Sequence, residues 1–365
     1  MHVKVKEKFQ VSPPMVFFII HAMQVGVGML GFQRIIAKSS GYDSWIPVII
    51  AGVVISLVIR MMYYILKVNH NDVIEVHRNL FGKWLGGLLS LALILYFYMT
   101  GVLVLRTYIE VIQVWVFEDL PTWVLTVLAA GFVYYVIKGG FRTVVGLCVA
   151  GVFIPSILFF ILLMPLEYAD FLNFLPIWKH SLKDILAGAK DTTLTFIGFE
   201  LLLLFYPFIK HGYRSHKWAQ LGHWASVVVY TLLMIVTLAF FSEGQLKITI
   251  WPTLTLLKII EFPFIERFEY LGISLWLIIV VPNIVTAFWG ASRGLKRLFS
   301  IKQRYVVLFM VLTLIIVVPP IDNRQAVNTL NEWVNQIGFW VIIAYIPFLC
   351  AVQFIHSKWK RKNET

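Results

Sequence analysis

The side chain in this sequence best placed for chemistry is Glu200, which follows Thr192-Thr193-Leu194-Thr195-Phe196-Ile197-Gly198-Phe199 and leads into an apolar run ending at Pro207. A carboxylate deep in an apolar span is expensive to desolvate and is functional by default. It could accept a ligand ammonium, carry a proton, or bond free backbone NH groups of a broken helix. A second unusual stretch, Met23-Gln24-Val25-Gly26-Val27-Gly28-Met29-Leu30-Gly31, sets three glycines in an otherwise apolar helix. Each glycine weakens a helix by about 1 kcal/mol against alanine, so the helix is expected to break there. Inside a bilayer, unwound backbone survives only where protein or a polar cavity satisfies it. The two breaks, Gly26, Val27 and Gly28 in one and Phe196, Ile197 and Gly198 in the other, are therefore expected to form a substrate site.

Half-helix N-termini present NH groups and a positive dipole end, which suit a carboxylate, whereas free carbonyls and Glu200 suit an ammonium or a cation. An α-amino acid offers both groups. The wall of the site is expected from two long spans whose polar positions include Tyr98, Thr100, Asn283 and Thr286, each of which reads equally as an interhelical hydrogen bond. Arg106 and Glu110, four residues apart, suit an outer gate or a structural ion pair. His21 reads as a packing histidine, and His211, His216 and His223 as a solvated basic face without metal-ligand neighbours.

Other chemistries find no support. Gly26 to Gly31 formally matches G-x-G-x-x-G, but no strand precedes it, so it is not a dinucleotide site. Gly82 with Gly86 and Gly290 with Gly294 are small-xxx-small spacings that mark close helix packing. No nucleophile with a base, no phosphate loop and no metal cluster is legible, so neither an enzyme, a cofactor nor a metal is expected. Cys148 and Cys350 lie in apolar runs and read as small hydrophobes.

The elements that must position these residues follow from hydropathy. The 365 residues are 59% apolar and 14% charged, beyond the range of a soluble domain. Apolar runs of spanning length, without the alternation of an outer-membrane barrel, give an all-α integral membrane protein. Ten spans are expected, at about 13–37, 45–66, 84–117, 121–137, 141–164, 190–209, 218–241, 267–299, 305–319 and 333–356. Lys4, Lys6 and Lys8 precede the first, which lacks a cleavage pattern and reads as a retained helix. Most of the 31 Lys and Arg residues fall on one side of these spans if both termini are cytoplasmic, so the formal charge of +12 is a face asymmetry that favours anionic lipid and needs no nucleic acid.

The first five spans and the second five share an order of lengths. Each set has a broken span, an ordinary one, a long one, a short one and an ordinary one, with amphipathic segments at 71–80 and 254–264 in matching places. Five is odd, so the second set starts from the opposite side. The expectation is one membrane domain over 1–365, built from inverted repeats at 13–164 and 190–356, the LeuT-like pattern of secondary transporters with broken spans one and six.

Several motifs resemble one family. Gly26-Val27-Gly28, Phe81-Gly82-Lys83-Trp84, Arg106 with Glu110, Gly198-Phe199-Glu200, Ile250-Trp251-Pro252-Thr253 and Ile265-Glu266-Arg267-Phe268-Glu269 together look like the B subunit of spore germinant receptors, the GerAB type, in the amino acid, polyamine and organocation transporter superfamily. The resemblance runs from Pro13 to the basic tail. It implies a sensor of a small nutrient, typically an amino acid, in the inner membrane of a bacterial endospore, working with an A and a C subunit. It places ligand contacts at Gly26, Gly28, Gly198, Glu200 and near Asn283. The sequence departs from the pattern at Pro282-Asn283, where a Thr pair would suit an alanine sensor, and at Gln33, where a proline commonly ends the first helix. A proton- or sodium-coupled amino acid transporter and an ion-conducting subunit are the alternatives.

Overall fold

The computed structural model describes residues 5–69, 71–260, 262–263 and 266–364, so Lys4, Phe264 and Ile265 of the segments above lie outside the described residues. The described chain is helical: α1 Met15–Gln24, α2 Phe32–Ser40, α3 Trp45–Asn69, α4 Val73–Trp115, α5 Thr122–Lys138, α6 Phe141–Phe153, α7 Ser156–Ile161, α8 Leu182–Thr195, α9 Leu202–Phe205, α10 His216–Phe240, α11 Glu243–Ile248, α12 Pro252–Ile259, α13 Phe268–Phe299, α14 Gln303–Val317, α15 Arg324–Trp340 and α16 Ile346–Glu364. Among the described residues, six helical segments are long and apolar enough to cross a membrane, and four shorter apolar segments accompany them.

Local chemistry fixes the helix ends. Asp72 caps α4 by accepting the Glu75 NH, Ser181 and Asp184 form a reciprocal capping box on α8, and Asn323 accepts the Ala326 NH at the start of α15. These caps lie upstream of the starts expected from hydropathy, because the first turns of α8 and α15 are polar. The segment at 71–80 stands apart: residues 73–81 form a helix of their own, which non-helical Gly82 (φ 76°, ψ −175°) separates from the long remainder of α4, and His77 folds back to bond Ser90 (2.8 Å). A π-helical turn over Val341–Tyr345 joins α15 to α16.

The two longest helices, α4 and α13, pack along each other through the middle of the molecule. Broken helix α1–α2 lies against α10, α6 and α8, and α8 in turn packs on α3 and α15. The interior is mainly aliphatic and aromatic, with buried polar groups such as Gln33, Glu200, His223 and Asn283 set among them.

One polar anchor sits outside the spans, in the α2–α3 turn. Both carboxylate oxygens of Asp43 accept hydrogen bonds from the connection that leads into α8: the NH groups of Trp178 (2.8 Å), Lys179 (2.8 Å) and His180 (2.9 Å), and the His180 ring Nδ1 (2.9 Å). Burial alone would raise the Asp43 pKa, but these bonds to the ionised form outweigh it and hold the group below the usual carboxylate range. A depressed native pKa contributes stability that is fully present above the unfolded value of about 3.9 and is lost as pH falls through the native value. Asp43→Asn should therefore melt below the wild type at neutral pH. The gap should persist down to about pH 4 and shrink below it, as read by thermal unfolding in detergent at stepped pH.

Candidate binding site at the helix breaks

The first helix stops at Gln24 because the next residues leave helical geometry: Val25 is extended, Gly26 is extended (φ −157°), and Val27–Leu30 form a short 3-10 turn before α2. Five carbonyls at or beside the break find side-chain donors. Asn283 Nδ2 donates to the carbonyls of Ala22 (2.8 Å) and Val25 (3.1 Å), and Tyr230 OH donates to that of Gln24 (2.8 Å). Trp276 Nε1 donates to Gly26 O (3.3 Å), and Thr253 Oγ1 donates to Met29 O (2.7 Å). Asn283 approaches so closely that a Cβ on residue 26 would lie 2.7 Å from its Oδ1, which is why this position must be glycine.

The second break follows α8. Gly198 adopts φ 122°, a conformation open to glycine alone, and a Cβ there would meet Met23 O of the first break at 2.9 Å. The two breaks are thus in direct contact. Glu200 serves its own break: Oε2 accepts the Gly198 NH (2.8 Å) and Oε1 accepts Tyr96 OH (2.5 Å), and the side chain is fully buried. The NH it caps belongs to its own break, where an NH of the first break was expected.

Between the breaks lies a cavity of about 190 Å³. Gly26, Val27 and Gly28 form one wall, Thr195 and Ile197 the facing one, with Thr100 from α4 and Asn283 from α13. Of the other expected residues, none lines this cavity. Tyr98 bonds Thr313 (2.8 Å), Thr286 lies 3.7 Å from the Cys148 sulfur, Phe196 packs edge-on to Tyr230, and Gly198 is closed off by Met23. Arg106 and Glu110 do not pair with one another. Arg106 donates to the carbonyls of Ile321 and Asp322, whereas Glu110 accepts Arg324 Nη1 (2.7 Å) at the cavity rim, where the guanidinium also lies over Trp251.

Two features escaped the sequence reading. His223, expected on a solvated face, is buried; its Nε2 bonds Gly52 O (2.8 Å), and its Nδ1 lies 3.0 Å from Gln24 Nε2. His21 is likewise buried and bonds Ser226 (2.9 Å). The second feature is α15, whose Asn328, Asn331 and Asn335 line the cavity. Their spacing of three and four residues puts them on one helix face, but Asn328 and Asn331 precede the apolar span expected at 333–356 and Asn335 sits at its edge.

Chemically, the cavity is asymmetric. The freed carbonyls of the first break are occupied by side chains, whereas the NH groups of Gly26, Val27 and Gly28 have no acceptor among the described residues. Opposite them stands Thr195 at the C-terminal end of α8, its carbonyl 4.0 Å from where a Gly28 Cβ would sit. NH groups at the start of one half-helix face the carbonyl end of another.

Two broken helices meeting at a cavity and packed against long neighbours define a membrane protein of the transporter fold. The fold matches the nucleobase-cation-symport-1 family transporter Mhp1, closed with bromovinylhydantoin bound (TM-score 0.65, 11% identity, 92% of this chain and 79% of that one), and a manganese transporter mutant of Eremococcus coleocola (TM-score 0.66, 14% identity, 96% and 81%). The chain belongs to the spore germination protein family, whose model matches residues 10–327. It is 46% identical over 354 residues to spore germination protein GerQB of Bacillus cereus, covering 97% of this chain and 98% of that protein.

Glu200→Leu leaves the Gly198 NH and the Tyr96 OH unpartnered in a dry interior, at about 1–3 kcal/mol each. Glu200→Gln keeps an acceptor for Gly198, and Tyr96 can reverse to accept from the amide. Thermal unfolding should show a large drop for the leucine variant and a small one for the glutamine variant. Equal losses would mean that charge, and not capping, is what the site requires.

Proposed function

We propose that the chain is the nutrient-sensing membrane subunit of a spore germination receptor, acting with an A and a C subunit in the inner membrane of a bacterial endospore. In this reading both termini are cytoplasmic. The ten spans form two inverted sets of five, 13–164 and 190–356, and the ligand is a small amino acid held between the breaks. The observation that carries it is the set of unpartnered NH groups at Gly26, Val27 and Gly28 in the wall of a cavity that Thr195, at the C-terminal end of α8, also lines. A ligand carboxylate suits the NH groups, and an ammonium the helix C-terminal end. The cavity is smaller than the roughly 300–1,000 Å³ typical of drug-sized ligands, which favours a ligand of few atoms.

Glu200, Tyr98, Phe196, Gly198 and Thr286 act behind the site as its supports. Arg106 and Glu110 act at its outer rim, where the Glu110 bond to Arg324 is the element to open or close. Ligand binding biases the equilibrium of the two halves only through its differential affinity for their arrangements, and the partner subunits read that bias.

The transporter fold favours one second reading, a coupled amino acid carrier. Flux into proteoliposomes holding this chain alone would establish it; saturable binding without flux fits the sensor.

Gly28 separates binding from folding, because a Cβ there meets only Thr195, at ordinary distances of 3.7 Å from Cγ2 and 4.0 Å from the carbonyl. Gly28→Ala should keep nutrient-triggered germination, whereas Gly28→Trp, which fills the cavity, should lower ligand affinity by more than about tenfold, or 1.4 kcal/mol, and block the response. Spores carrying Gly28→Trp that germinate normally on nutrient would sink the proposal.

A further inference from the structure

The face of α15 that meets the cavity carries Asn328, Asn331 and Asn335 together with Val327 and Val334; the two valines are buried, Asn331 and Asn335 are half-buried, and Asn328 is exposed. Asparagine in a membrane helix ordinarily bonds a neighbouring helix. These do not, among the described residues: the one side-chain bond they make runs along the helix itself, from Asn335 Nδ2 to Asn331 Oδ1 (2.9 Å). Arg324, one turn before Asn328, is held by Glu110 and Trp251 and leaves the amides as the uncommitted polar groups of this wall. The stripe stands across from the unwound backbone of the first break, so a ligand whose backbone groups engage the breaks turns its side chain toward α15 or away from it.

We propose that Asn328, Asn331 and Asn335 form a side-chain subsite that selects a neutral, hydrogen-bonding ligand, an amino acid with an amide or hydroxyl side chain, over an aliphatic one. This rests on the reading of the cavity as an amino acid site. The argument is one of desolvation. A ligand that closes the cavity strips water from the amides, and an aliphatic side chain returns nothing, leaving donors and acceptors unpaired. Sites built to hydrogen-bond a substrate group reject analogues lacking it far more strongly than apolar pockets discriminate by size. Amides both donate and accept and carry no charge, so they match an amide or hydroxyl better than a carboxylate or ammonium.

The test is equilibrium binding to the purified full chain, using glutamine, asparagine and serine against valine and leucine, with Asn331→Leu and the milder Asn331→Ser beside the wild type. The wild type should bind a polar member at least tenfold more tightly than either aliphatic one. Asn331→Leu should lose that margin by weakening polar binding with aliphatic binding unchanged or tighter, and Asn331→Ser should fall between. If Asn331→Leu does not fold, the serine variant carries the comparison. Wild-type binding of valine or leucine as tight as that of the polar set, or equal loss of both classes in the variants, overturns the subsite and leaves the amino acid reading standing. Binding of none of the five, with the whole receptor also blind to amino acids, overturns that reading and this one with it.

Discussion

A backbone that leaves helical geometry within a bilayer must have its NH and carbonyl groups satisfied by the protein, and the rest of this structure is arranged around that requirement at two places. At the first break the donors come from three different helices: Asn283 and Trp276 from α13, Tyr230 from α10 and Thr253 from α12. At the second, one carboxylate caps the turn from within and is itself held by Tyr96 of α4. Every helix that supplies a cap is fixed in position by doing so. The capping set is therefore also the scaffold of the cavity.

The two breaks are solved differently, and the difference gives the cavity its polarity. Side-chain amides, hydroxyls and an indole are donors, so they use up the carbonyls at the end of α1 and leave the NH groups at the start of the 3-10 turn open. At the second break a carboxylate takes an NH and leaves the carbonyl end of α8 facing inward. Which ends are capped thus decides which backbone groups remain open beside the cavity.

How much of this the sequence carried depends on whether a feature was local. The glycines at 26, 28 and 198 announced the breaks, because backbone freedom is a property of single residues. Hydropathy located the apolar parts of the helices but not their polar first turns, where Ser181, Asp184 and Asn323 supply the start signals. What Glu200 does was not legible, since burial and an apolar context fit a ligand contact and a cap equally well; only the positions of the Gly198 NH and Tyr96 decide between them. Asn283 drew attention as a polar group in a span, yet its function as a cap depends on the 261 positions that separate it from Ala22. His223 was misplaced for the same reason: its partners, Gln24 and Gly52, lie on helices far off in sequence.

Asn283 also ties together elements on different sides of the cavity. It belongs to α13, which packs along α4, yet its amide holds the last carbonyls of α1, and it lines the cavity at the point of contact. Any movement of α1 relative to α13 must break those bonds, and in a dry interior a carbonyl so exposed costs about 1–3 kcal/mol. Such a cost is of the size that keeps an alternative arrangement a minor state of the unliganded protein. A ligand bound against Gly26 and Gly28 touches both sides of this joint. It can therefore change the relative energies of the two arrangements where a ligand bound to one helix alone could not, and the same tie that seals the helix break sets the threshold for moving it.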